Sequence, residues 1–72
     1  MIDYSPFWQT LDASNENWYT LTTKHNLSNS TLSRLKNNKD VSMKTINDLC
    51  RILNCQVNDI CIYIPSEDDQ IL

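Results

Sequence analysis

Residues 18–37 read WYTLTTKHNLSNSTLSRLKN, and this stretch decides the fold. Two short segments with apolar residues at helical spacing flank a polar break at Asn26-Leu27-Ser28. In the second segment Leu32 and Leu35 fall on one side, while Asn29, Ser30, Ser33, Arg34 and Asn37 fall on the other. The chain contains no glycine, and asparagine is the next best residue for a left-handed backbone, so Asn26 is the expected reversal point. Leu27 can plug the angle between the two helices. Ser28 can cap the following one, with its first amides turned toward a phosphate. A polar helical face rich in groups that can meet base edges points to sequence-specific DNA binding.

Working outward, Tyr4, Phe7, Trp8 and Leu11 recur at i, i+3, i+4 and i+7 and predict a core helix from about Tyr4 to Ala13. Pro6 lies in its first turn, where the missing amide hydrogen is harmless. Residues 12–17 form a polar connection, with Asn17 the N-cap of a second helix that starts at Trp18 and buries Trp18, Leu21 and the ring of His25. On the other side, Asn37-Asn38-Lys39-Asp40 reads as a loop. Ser42 caps a fourth helix carrying Ile46, Leu49, Cys50 and Leu53 on one face, and Asn54 ends it. One more helical turn is expected to put Val57, Ile60 and Cys61 inward, with Asp59 near its start. The run Cys61-Ile62-Tyr63-Ile64 stops at Pro65 and predicts a short strand or arm. A lone strand has unpaired edges, so Ile62, Tyr63 and Ile64 are expected to form a homodimer contact with the same strand of a second copy. The acidic segment 66–72 is expected to be a mobile tail on a single domain spanning 1–65.

The net charge of −3 disfavours nucleic acid at first sight. Its distribution argues otherwise. All six basic residues (Lys24, Arg34, Lys36, Lys39, Lys44 and Arg51) lie between positions 24 and 51 against two acids, Asp40 and Asp48, for a local net charge of +4. The rest of the chain holds seven acids and no Lys or Arg. This segregation predicts a positive face that coincides with the polar helix. Seventy-two residues allow one small domain whose core supplies only ~3–5 kcal/mol of net stability, which excludes a large-pocket enzyme. An odd number of cysteines, Cys50, Cys55 and Cys61, fits reduced core thiols. With one histidine and no CxxC pair, neither a metal site nor another cofactor is expected. The first residues lack a cationic leader pattern and no apolar run approaches the ~18 residues of a membrane span, so the expectation is a soluble cytoplasmic protein.

Taken together, Tyr4, the run Ser28-Asn29-Ser30-Thr31-Leu32-Ser33-Arg34-Leu35, the run Leu53-Asn54-Cys55-Gln56-Val57-Asn58-Asp59-Ile60 and the ending Tyr63-Ile64-Pro65 resemble the Cro and lambda-repressor-like helix-turn-helix family, also called the xenobiotic response element family. The likeness is to its small single-domain bacterial and phage regulators over about residues 2–65. It implies an all-α, compact four- to five-helix DNA-binding domain with a short C-terminal strand or arm, whose third helix enters the major groove. Carried over by motif position, Ser28, Asn29, Ser30, Ser33, Arg34 and Asn37 would line the DNA face, and Leu21, Leu27, Leu32 and Leu35 would pack the motif. Thr22 stands where the family usually has alanine, and Asn26 replaces its usual turn glycine.

Each candidate also has a plainer reading. Arg34 can fork onto guanine, clamp a phosphate or form an internal ion pair. Asn29 suits adenine, and Ser30 and Ser33 suit bases or phosphates, or all three simply cap and solvate the helix. Thr31 can support the helix start. Lys36, Asn37, Asn38 and Lys39 have the charge and reach for phosphates or form a solvated loop, and Lys24 and Lys44 could extend the phosphate track. The helical spacing of Trp8 and Trp18 indicates core packing rather than base stacking. The expected function is a transcriptional regulator, acting as a repressor, whose homodimer reads a pseudo-palindromic site. The alternative is a protein-interaction module on the same scaffold, antirepressor or antitoxin-like, and a regulatory protein partner fits either. Catalysis is not expected, because no nucleophile, base and oxyanion-forming loop occur together.

Overall fold

The computed structural model describes residues 1–72. Four helices account for most of the fold: α1 (Ser5–Asp12), α2 (Trp18–Thr23), α3 (Asn29–Lys36) and α4 (Met43–Leu53). A 3-10 turn at Val57–Asp59 follows, and two short strands, β1 (Ile2–Asp3) and β2 (Ile62–Tyr63), bring the chain ends together. The architecture is mostly helical with a two-stranded antiparallel sheet.

Three of the helices start with side-chain caps that the sequence announces. Asn17 Oδ1 accepts the Thr20 amide at 2.9 Å while Thr20 Oγ1 accepts the Asn17 amide at 2.8 Å, a reciprocal capping box. Ser28 and Ser42 accept the amides of Thr31 and Thr45 at 3.0 and 3.1 Å. Asparagine supplies the left-handed turns in place of glycine: Asn26, Asn38 and Asn54 have φ of 59°, 53° and 52°. Asn54 ends α4, and the Cys55 amide reaches back to the Cys50 carbonyl at 3.0 Å, closing the helix with a Schellman-type bond.

The core is built from Tyr4, Phe7, Leu11, Leu21, Leu32, Leu35, Ile46, Leu49 and Ile60, all buried. Leu27, Val41, Cys50, Cys55 and Cys61 pack against it. The three thiols are free and half-buried, and burial pushes Cys55 up to about 11 and raises Cys61 as well. Cys55 and Cys61 are therefore weakly nucleophilic at neutral pH and act as small apolar groups.

Three expectations are corrected. Trp18 is not buried: it is the first residue of α2, remains 38% exposed, and lays one face against Trp8 with centroids 5.7 Å apart and planes 10° from parallel. Val57 is exposed, leaving Ile60 and the half-buried Cys61 as the inward residues of that turn. β2 is not a lone strand. It pairs antiparallel with β1 in the register Ile2 to Tyr63 and Asp3 to Ile62, and two residues at the chain start carry too little periodicity to announce a strand. The N-terminal ammonium of Met1 adds bonds to the Ile64 carbonyl at 2.7 Å and to Asp69 at 2.8 Å, and the Tyr63 hydroxyl donates to the same carboxylate. No helix is long and apolar enough to cross a membrane.

Candidate nucleic-acid interface

α2, the turn at Asn26 and α3 form the bihelical unit. The Leu27 amide donates to the Leu21 carbonyl at 3.0 Å, which folds the turn back on α2. His25 is half-buried, with Nε2 3.1 Å from Glu16 Oε2, while Lys24 Nζ lies 3.4 Å from the other carboxylate oxygen. Glu16 therefore ties the α1–α2 connection to the end of α2. Hydrogen bonding from the Thr20 side chain, with Lys24 and the His25 ring beside it, outweighs desolvation and holds its carboxyl below the usual carboxylate range.

On α3, Leu32 and Leu35 are fully buried and Thr31 is half-buried, so the helix can present only its opposite side. That side carries Asn29, Ser30, Ser33 and Arg34, all exposed, with Lys36 exposed at its flank. The sequence-predicted residues divide by what their side chains already do. Ser28 and Thr31 are occupied with capping, their hydroxyls 2.9 Å apart. Asn37 closes the helix, its amide group donating to the Ser33 carbonyl at 2.9 Å and reaching the Ser33 hydroxyl at 3.4 Å. Asn38 is half-buried and turned inward: its Nδ2 donates to Asp3 Oδ1 at 3.0 Å, and its Oδ1 accepts the Tyr4 amide at 3.1 Å. Asn29, Ser30, Arg34, Lys36 and Lys39 have no internal side-chain partner and face solvent.

The six basic residues divide in the same way. Lys24 pairs with Glu16, and Lys44 and Arg51 flank Asp48 at 2.9 and 3.9 Å. Arg34, Lys36 and Lys39 remain unpaired, so the uncompensated positive charge is concentrated on the C-terminal half of α3 and the loop after it. Lys24 and Lys44, the expected extension of the phosphate track, are both exposed and each lies against a carboxylate, Glu16 and Asp48 respectively. Lys44 also draws Asp48 below the usual range by hydrogen bonding to it. The residue that sequence reading missed is Asp3. It holds Asn38 from 35 positions away, a separation that no local pattern encodes.

A capped turn between two short helices, with the second one polar on its outer face, defines a helix-turn-helix domain, and the family comparison agrees. Residues 7–66 match the model of the Cro/C1-type helix-turn-helix DNA-binding domain, and the chain belongs to that family. Among solved structures, the crystal structure of the transcriptional regulator VanUg, Form II, is similar, with a TM-score of 0.80 and 28% identity over 90% of this chain and 87% of that one. No curated protein matches the sequence.

Proposed function

We propose that the protein is a sequence-specific, double-stranded DNA-binding transcriptional regulator that reads the major groove with α3 and represses by occupying its site. The observation that carries this reading is the coincidence on one element of exposed, unpartnered base-reading groups (Asn29, Ser30, Arg34) with the three unpaired cations (Arg34, Lys36, Lys39). Ser33 adds a short hydroxyl between them, and the caps at Ser28, Thr31 and Asn37 hold the helix ends rigid. Arg34 suits guanine and Asn29 adenine, while Lys36 and Lys39 suit phosphates. The proposed setting is the cytoplasm of a bacterial or phage-carrying cell, where duplex DNA is accessible.

The working unit in this proposal is a homodimer on a pseudo-palindromic site with half-sites ~34 Å apart. Its contact surface is the two-stranded sheet, where Ile62, Tyr63 and Ile64, with Met1 and Ile2, are 39–62% exposed. Met1 and Ile64 exchange backbone bonds at 2.7 and 2.8 Å. Antiparallel alternation therefore turns the amide and carbonyl of Tyr63 away from β1, toward the position of an added strand.

Selection from a random duplex library, followed by titration of the winner at low and physiological salt, tests the reading. A short palindrome whose binding weakens steeply with salt is the expected result. Retention without sequence preference counts against it. The same exposed apolar sheet supports a second reading, a protein-interaction module of antirepressor or antitoxin type, or a regulator controlled by a protein partner. Under that reading Arg34→Ala leaves the biological effect unchanged.

A further inference from the structure

Asn38 lies between two residues of the proposed DNA surface, Asn37 at the end of α3 and Lys39 in the loop, yet its own side chain points the other way. Its backbone is left-handed, with φ of 53°, a conformation that asparagine accepts and most residues resist. Its carboxamide uses both ends, Nδ2 on Asp3 Oδ1 at 3.0 Å and Oδ1 on the Tyr4 amide at 3.1 Å. Asp3 is itself oriented, since its other oxygen accepts from the Ser5 amide and hydroxyl. Asp3 is also the β1 residue opposite Ile62 of β2. From the other side, the Lys39 amide donates to the Arg34 carbonyl at 2.8 Å. An unbroken path of polar and ladder contacts thus runs from Arg34 through Lys39, Asn38 and Asp3 to Ile62.

We propose that Asn38 is a positioning residue that locks the DNA-reading helix to the β1–β2 sheet, so that the dimer contact and the DNA surface form one rigid body and the separation of the two half-sites is held to a single value. This rests on the DNA-binding dimer proposed above. Spacing discrimination follows from rigidity: two reading helices on a stiff frame fit one half-site separation, whereas a yielding loop lets each helix follow its own groove. A merely structural role for Asn38 would lower stability and leave that discrimination intact.

The test uses the full chain and the palindrome recovered from random-duplex selection, together with versions whose half-sites are one base pair closer or further apart. The wild type is expected to lose at least about tenfold in affinity on either altered spacing. Asn38→Gly keeps the left-handed backbone but removes both side-chain bonds, and it is expected to shrink that penalty to about threefold or less while still binding an isolated half-site. The reciprocal pair Asp3→Asn with Asn38→Asp restores an amide-to-carboxylate bond with its direction reversed, and it is expected to recover the wild-type penalty. The pair also answers the question should Asn38→Gly fail to fold. If both variants bind and the spacing penalty stays at its wild-type value in Asn38→Gly, or is not restored in the pair, the positioning role is overturned and the DNA reading stands. If the wild type binds no palindrome, the DNA reading falls and the positioning role falls with it.

Discussion

Single side chains divide sharply between those consumed by the fold and those left over. Arg34 could serve equally as a base reader, a phosphate clamp or an internal ion pair on sequence grounds, and the fold removes the last of these by placing no carboxylate against it. Arg34→Ala is therefore expected to leave thermal stability nearly unchanged and to cost about 1–3 kcal/mol of DNA affinity per half-site, read by fluorescence anisotropy. A large drop in melting temperature instead would make Arg34 a structural residue.

Protonation acts at the same scale. Asp3, Glu16, Asp48 and Asp69 all have lowered pKa values in the folded chain, each chiefly through a hydrogen bond: from the Ser5 hydroxyl, the Thr20 side chain, Lys44 and the N-terminal ammonium, respectively. The unfolded chain, with carboxyls near their ordinary 3.8 and 4.5, binds more protons than the folded one in acid. The stability these groups contribute is thus present above the unfolded values and is lost as pH falls through the folded ones. The melting temperature should decline below about pH 4.5, and Glu16→Gln should flatten that decline. An identical acid limb in the variant would show that Glu16 is not among its causes.

Short helices make the ends of elements matter as much as their middles. α2 has six residues and α3 eight, so neither could persist alone, and their turn must be held from both sides. Asn26 does this at φ of 59°. Asn26→Ala is expected to destabilise the domain by about 1 kcal/mol in urea unfolding, while Asn26→Gly should be neutral or mildly stabilising. Equal effects from the two would mean that backbone handedness is not the reason for the asparagine. Caps, apolar stripes and asparagine stops are local signals, which is why the ends of α2, α3 and α4 agree with the sequence reading. β1 escaped it because two residues cannot display an alternation, and Trp18 misled because a helical stripe does not tell a first-turn residue that it stands at the rim.

For the whole molecule, the charge pattern and the sheet decide behaviour. Three unpaired cations per protomer give six in the proposed dimer, so the logarithm of DNA affinity should fall against the logarithm of salt with a slope of about −5. A slope shallower than about −2 would mean that these cations do not meet phosphates. Ile64→Lys, on the exposed sheet, is expected to shift the protein from dimer to monomer in sedimentation analysis while preserving its helical circular dichroism. A variant that remains dimeric would place the contact elsewhere.

The sequence by itself determined the helix count, the polar-faced helix α3 with its capped start, the asparagine stops at Asn26 and Asn54 and the +4 segment, because each rests on interactions among residues close together in the chain. Only the tertiary structure decided which of those charges stay unpaired, that Asn38 turns away from solvent to hold Asp3, and that β2 finds its partner at the N-terminus. The last two outcomes depend on residues 34 to 63 positions apart becoming neighbours. Linear spacing carries no record of such approaches, because the core that enforces them forms from all four helices together.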